Sequence, residues 1–288
     1  MAGMTDQVPS IAQDLHPLVR RVLAPNPSAF TYTGTQTYLV GHGEVAVIDP
    51  GPDLEEHVAA ILAATAGERI TAILCTHTHR DHSPAARPLR AATGAAIVGC
   101  APLALADDGP RADAAFDTDH APDRVLADGE SVHGAGWALS AVATPGHTSN
   151  HLCFALPQAR ALFTGDHVMG WSTSVISPPD GDMSAYMASL DRLMQRDDLV
   201  YYPAHGEPVE KPQRFVRGLI GHRRQREGQI VRLLEQGDQA IPAMVAKMYA
   251  GIDPRLHGAA GRSVLAHLID MEQRGAVARS GETWRLAA

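Results

Sequence analysis

"TAILCTHTHRDHSPAA", residues 71–86, runs an apolar segment into four candidate metal ligands, with His77, His79, Asp81 and His82 crowded into six positions. A strand buried on both faces stays apolar until it leaves the sheet, and in open α/β folds ligands bind at the carboxyl ends of strands. The change of character at His77 therefore marks a sheet edge. Two histidines at i and i+2 on an extended segment point to the same side, and Asp81 and His82 follow where the chain turns into the next helix. Imidazole with carboxylate suits borderline divalent cations, so one short loop furnishes half-shells for two ions.

Outward from this stretch, other period-two or continuous apolar segments read as strands: "TQTYLVG", "EVAVIDPG", "AAIVGC", "WALSAVATPG", "HLCFALP", "ALFTGDHV" and "LVYYPAHG". Helical patterns lie between them after Asp53, Ser83 and Asp182. In the last, Met183, Tyr186, Met187, Leu190, Leu193 and Met194 recur at helical spacing, a stripe that predicts core packing. The order is mixed α/β, with no short-period repeat. Residues 106–123, rich in Asp, Ala and Pro, read as a long surface loop.

From Lys211 the strands give way to three helical patterns and a hairpin at Ser280-Gly281, between Val277 and Trp284. This predicts two domains, 1–210 and 211–288. The net charge of -8 divides unevenly, because residues 211–288 hold 13 Lys+Arg against 7 Asp+Glu, leaving -14 before them. A basic tail can indicate an anionic partner, whereas an acidic main body argues against a general nucleic-acid coat.

Apolar residues make up 45% and charged residues 19%, enough for a buried core and against disorder. No apolar run has the length of a secretory leader or a membrane helix, which predicts a cytoplasmic protein with no membrane partner. Cys75, Cys100 and Cys153 are odd in number, widely spaced and flanked by apolar residues, so reduced, buried thiols are expected.

The pattern His-x-His-x-Asp-His resembles the first metal motif of the metallo-β-lactamase-fold hydrolases. That family has a third histidine, a bridging aspartate, a last histidine and an early aspartate, each after its own strand. This chain offers His147 in "TPGHTSNH", Asp166 in "FTGDHV", His205 in "YYPAHG" and Asp49 in "VIDPGP". The resemblance implies an α/β fold, the αβ/βα sandwich of that family, with two divalent metal ions, zinc before iron or manganese. It would place His77, His79 and His147 on one metal and Asp81, His82 and His205 on the other. Asp166 would bridge, Asp81 and Asp166 would be the catalytic carboxylates, and Asp49 would orient a ligand histidine. Paired ions about 3.5 to 4 Å apart share a hydroxide and supply a nucleophile at neutral pH.

The segments "GTQTYLV", "HRRQREGQIVRLLEQG" and "WRL" look most like the β-lactamase-like protein 2 group, which carries a small C-terminal winged-helix domain. A helix reading duplex DNA should expose Arg, Lys, Asn or Gln, yet "RSVLAHLIDMEQRG" is largely apolar. A tail packed on the catalytic domain, capping its site or forming a homodimer contact, is the expectation. His151 and His167 are candidates for support or packing, and His42, His57 and His133 for the surface. Ser172, Thr173 and Ser174 are candidates for the substrate pocket.

Three functions follow. The preferred one is a dinuclear metal hydrolase of a small ester, thioester, lactone or related bond. The second is a single-stranded RNA endonuclease using the same site, with His222, Arg223, Arg224 and Arg226 steering the phosphates. The third is a non-catalytic nucleic-acid-binding module.

Overall fold

The structure is a computed structural model that describes residues 8–103, 116–251, 253 and 256–287. Two sheets face each other. The first has seven strands in sequential order: β1 (Ala12–His16), β2 (Val19–Leu23), β3 (Gln36–Val40), β4 (Glu44–Ile48), β5 (Arg69–Cys75), β6 (Ala96–Gly99) and β7 (Arg124–Val125). It is antiparallel up to β4 and parallel from β4 to β7. The parallel steps need crossovers. Helices make the first two: α1 (Glu55–Ala64) between β4 and β5, and α2 (Ala86–Thr93) between β5 and β6.

The second sheet adds β8 (Ser131–Gly134), β9 (Trp137–Ala143), β10 (Leu152–Leu156), β11 (Ala161–Gly165) and β12 (Val200–Pro203), in the order β12-β11-β10-β9-β8. Only β11 and β12 pair in parallel, joined through α3 (Met183–Met194). Asp182 caps α3, its carboxylate accepting from the Ala185 amide at 2.7 Å.

Alternation explains the continuous apolar runs. In β10, Leu152, Phe154 and Leu156 join the core between the sheets, while Cys153 and Ala155 face the helical layer outside. Tyr38 of the first sheet meets Phe163 and Tyr202 of the second, ring centroids 5.1 and 5.6 Å apart. Val58, Ile61 and Leu89 of α1 and α2 cover one outer face; Tyr186, Leu190 and Leu193 of α3 cover the other. The result is the αβ/βα sandwich expected from the sequence. All three cysteines are buried free thiols.

The tail consists of α4 (Pro212–Leu234), β13 (Gln239–Ala240), α5 (Ile241–Met248), α6 (His257–Gln273), β14 (Val277–Ser280) and β15 (Thr283–Leu286). Its sheet runs β13-β15-β14. Ser280 pairs with Thr283, so the hairpin turns at Gly281-Glu282, one residue later than expected, with Gly281 at φ 61°. The long helix α4 serves both units. Val216, Leu219 and Ile220 pack with α3, whereas Ile230 and Leu234 pack with Met244, Val264 and Trp284 of the tail. No helix among the described residues is long and apolar enough to cross a membrane.

Two expectations need correction. His57 is buried, because it lies on the inner side of α1 with Nε2 2.8 Å from Thr37 Oγ1, beneath the turn after β4. Of the proposed surface loop 106–123, residues 106–115 lie outside the described residues, and in the remainder Thr118, Asp119, Ala121 and Asp123 are exposed as expected while Phe116, Asp117 and His120 turn inward. Phe116 bridges His79, Asp117 accepts from Ser83 and Arg87, and His120 is buried beside Cys100.

Candidate metal centre

Asp49 and every proposed ligand follow the end of a strand on one rim of the sandwich. Asp49 follows β4; His77, His79, Asp81 and His82 follow β5; His147 follows β9; Asp166 follows β11; His205 follows β12. Sheet pairing thus converts about 130 residues of separation into contact. His77, His79, His147 and Asp166 form one group whose donor atoms lie within 4.8 Å of one another, and Asp81, His82 and His205 form a second.

In the first group, His79 Nδ1 stands 2.9 Å from His77 Nε2 and 3.1 Å from His147 Nε2. Nitrogens bound tetrahedrally at the usual zinc distance would lie about 3.3 Å apart. In the second, Asp81 Oδ2 is 3.3 Å from His82 Nε2 and 3.2 Å from His205 Nε2. Asp166 faces both groups. Its Oδ1 lies 3.2 Å from His205 Nε2 and 3.5 Å from His82 Nε2, and its Oδ2 lies 3.6 Å from His147 Nε2.

The outer nitrogens fix the ring directions. His82 Nδ1 lies 3.0 Å from Asp49 Oδ2, His147 Nδ1 2.6 Å from the Val175 carbonyl, and His205 Nδ1 3.2 Å from the Gly34 carbonyl. Each acceptor requires the proton on Nδ1 and turns the Nε2 lone pair into the cluster. Asp49 also accepts from the Thr76 amide and hydroxyl, both at 2.8 Å. Its φ of 46° is uncommon for a residue other than glycine. His151 takes the Asp166 amide on Nε2 at 3.3 Å and meets Thr144 Oγ1 at 2.9 Å, so it supports the Asp166 turn. His167 is buried against the Tyr186 ring.

The electrostatics fit a cation. Burial raises the Asp81 pKa, but His82 and His205 outweigh it and hold the carboxyl well below its ordinary range. Asp166 is likewise depressed against burial by His205 and His82. Burial lowers the His205 pKa, yet Asp166 and Asp81 overcome it and raise it to about 10. His82 is raised by Asp81 and Asp166 in the same way. His77, buried among His82, His79 and His147, is pushed well down and stays neutral. A site that would otherwise hold protons on His82 and His205 has anionic partners for a replacement cation. His82 Nε2 and Asp166 Oδ1 are buried without a hydrogen-bond partner, as donor atoms directed at an ion would be. These residues fit divalent metal.

A cavity of about 520 Å³ opens onto His79, Asp81, His147, Asp166 and His205. Ser172, Thr173 and Ser174 all line it, although the Ser174 hydroxyl is turned to the His167 carbonyl at 2.8 Å. The tail closes one side with Arg223, Arg226, Tyr249 and Leu256, and Arg262 of α6 donates to the Pro178 carbonyl at 3.3 Å. The basic run is therefore no continuous exposed strip: Arg223 is buried and Arg226 half-buried in this wall. Sequence reasoning missed the Gly34 and Val175 carbonyls, which residue identity does not encode, and the cavity residues Tyr249 and Phe30.

Comparison with known proteins identifies the fold and the family. Residues 31–205 match the family model of the metallo-beta-lactamase superfamily, and residues 240–284 match the beta-lactamase associated winged helix domain. The atrochrysone carboxyl ACP thioesterase dmxR1 of Cryptosporiopsis sp. (strain 8999) is 32% identical over 231 residues, 78% of this chain and 65% of that protein. The beta-lactamase-like protein 2 homolog of Caenorhabditis elegans is 31% identical over 231 residues, 79% of this chain and 74% of its own length. The crystal structure of a beta-lactamase domain protein from Burkholderia ambifaria shares the fold, with a TM-score of 0.82 at 19% identity over 98% of this chain and 96% of that one. With the family model spanning more than half its length and its winged-helix tail matched separately, the chain belongs to the metallo-beta-lactamase superfamily of hydrolases.

Proposed function

We propose that this hydrolase cleaves the thioester of a small acyl substrate, with two divalent cations, zinc first, held by seven side chains. His77, His79 and His147 would hold one ion, Asp81, His82 and His205 the other, and Asp166 would give one carboxylate oxygen to each. The observation that carries this reading is the placement of the two Asp166 oxygens towards different histidine groups. In support of the thioester, three relatives bear the name atrochrysone carboxyl ACP thioesterase, and the cavity offers Phe30, Met169, Trp171 and Leu256 as apolar wall beside the cluster. The division near residue 210 belongs to the same reading: a hydrolytic sandwich before it, a tail that shapes the cavity after it.

Bound divalent metal supplies Lewis acidity and brings the pKa of a coordinated water towards about 7. The chain's own groups do the rest. Asp81 and Asp166, ionised at neutral pH, offset the cationic charge and can accept a proton-bearing water as a hydrogen-bond partner. Asp49, Val175 and Gly34 hold three imidazoles in one tautomer, so the cluster needs no rearrangement as substrate arrives. Tail residues Tyr249 and Leu256 exclude water from one flank of the cavity. A single-stranded RNA substrate and a purely nucleic-acid-binding role gain no support, since Arg223 and Arg226 of the basic run are folded into the cavity wall and only Arg224 stays exposed.

Hydrolysis of an N-acetylcysteamine thioester, followed by thiol release, tests the reading. Turnover that requires added zinc and disappears in Asp166→Ala is expected. Hydrolysis of a matched oxygen ester or of single-stranded RNA, with no thioester turnover, would overturn it.

A further inference from the structure

Arg223 and Arg226 lie three residues apart on α4, and both line the cavity that contains the metal cluster. Arg223 is 3% exposed, donates to the Ser174 carbonyl at 2.5 Å and lies 5.0 Å from the Tyr186 ring centroid. Arg226 donates through Nη1 to Gln229 Oε1 and to the Met248 carbonyl, both at 2.9 Å, and stacks 4.2 Å over Tyr249. Its Nε is directed at His222 Nε2, 3.3 Å away, which leaves Nη2 without a partner among the described residues.

Neither guanidinium has a carboxylate within ion-pair distance among the described residues, whereas Arg20, Arg87, Arg192 and Arg274 each meet one. Removing a guanidinium from water without a counter-charge is costly, and proteins retain such groups where a ligand supplies the charge. His222 does not supply it, because an imidazole is neutral or cationic; burial, then Arg223 and Arg226, push its pKa down, so it adds no further positive charge. The remaining walls, with Phe30, Met169, Trp171 and Leu256, suit an apolar body of drug-like size better than a hydrated phosphate chain.

We infer that Arg226, supported by Arg223, forms a subsite for a carboxylate carried on the apolar acyl group of the substrate. The free Nη2 of Arg226 offers a carboxylate one charge-assisted hydrogen bond, with the guanidinium charge as its counter-ion. The subsite rests on the thioester-hydrolase reading for the bond that is cut, but its anion recognition can be judged separately.

The test compares phenylacetyl and 4-carboxyphenylacetyl N-acetylcysteamine thioesters on the zinc-loaded full chain. The carboxylated substrate is expected to have the higher kcat/KM by at least about tenfold, as a charge-assisted hydrogen bond provides. Arg226→Met should remove most of that ratio and Arg226→Lys only part of it. Equal kcat/KM values in the wild type overturn the subsite while leaving the hydrolase reading intact, and need no variant to fold. If neither thioester is hydrolysed, the bond assignment fails and calorimetry decides the subsite. There, 1,4-phenylenediacetate should bind at least about tenfold more tightly than phenylacetate. Equal affinities would overturn it.

Discussion

Asp49 Oδ2 lies 3.0 Å from His82 Nδ1, while the same carboxylate takes the Thr76 amide and hydroxyl at 2.8 Å. One side chain thus joins the end of β4 to the ligand-bearing loop after β5. The left-handed backbone at Asp49, φ 46°, is the conformation that brings the carboxylate there.

Asp49→Asn keeps the shape but replaces one acceptor oxygen with an NH₂ group, which opposes the His82 N–H or the Thr76 donors. Loss of an outer hydrogen bond of this kind lowers metal affinity about 10- to 100-fold. Competition with a chelator of known zinc affinity checks it, with unchanged circular dichroism as the control. Wild-type affinity in the variant would reduce Asp49 to a packing role.

Gly146 precedes His147 at φ 138°, and a Cβ there would lie 2.3 Å from the Tyr186 Cα. Helix α3 cannot withdraw without leaving the core, since Tyr186 is fully buried. Gly146→Ala is expected to destabilise the chain by about 2 kcal/mol or more and to displace His147. Urea denaturation and zinc stoichiometry measure the two effects; a variant with native stability would contradict the close approach.

Arg223→Met removes a buried charge that has no carboxylate partner. Apolar replacements of that sort are often neutral or stabilising, so Tm should match or exceed that of the wild type. Zinc affinity should fall, because the Ser174 carbonyl loses its anchor and the neighbouring Val175 carbonyl orients His147. Thermal melts with and without zinc separate these effects. A large loss of Tm in the metal-free protein would contradict the expectation.

Acid should destabilise the fold through two buried histidines that are not among the proposed metal ligands. Burial, against the opposing Pro50 backbone, lowers His57 to about 4. Burial, together with Arg223, His222 and Arg226, lowers His267 to about 3. Unfolded rings protonate near 6.5. Below that pH the unfolded chain binds more protons than the folded one. The stabilisation is complete above pH 6.5 and is lost as pH falls towards 4 and then 3, by on the order of 3 kcal/mol for His57 and 5 kcal/mol for His267. Denaturation near pH 7.5 and near pH 5 should give a smaller difference for His57→Gln or His267→Leu. An identical pH slope in both variants would assign the acid sensitivity elsewhere.

The sandwich was legible because its inner strands announce themselves as apolar runs, and those of β5, β9, β11 and β12 are each followed by a candidate ligand at the rim. β1 and β2 were not. "VRRVL" reads as a charged segment, yet Arg21 is buried by bonding Gln13 and Gln36 across neighbouring strands. β7 has two residues and β8 four, too short for a periodic signal. Ligand histidines were legible from residue type and spacing, whereas their carbonyl partners were not, because every residue carries one. His57 looked like a helix-surface residue because periodicity does not show what the Asp49–Gly51 turn places over α1.

The most direct test is the zinc content of the reconstituted, desalted chain by elemental analysis, for the wild type and for Asp166→Ala. Two zinc ions per chain are expected in the wild type, with clear loss from both positions when the shared carboxylate is removed. Wild-type protein that binds no transition metal, or an Asp166→Ala variant that keeps the full complement, would contradict a paired-metal centre built around Asp166.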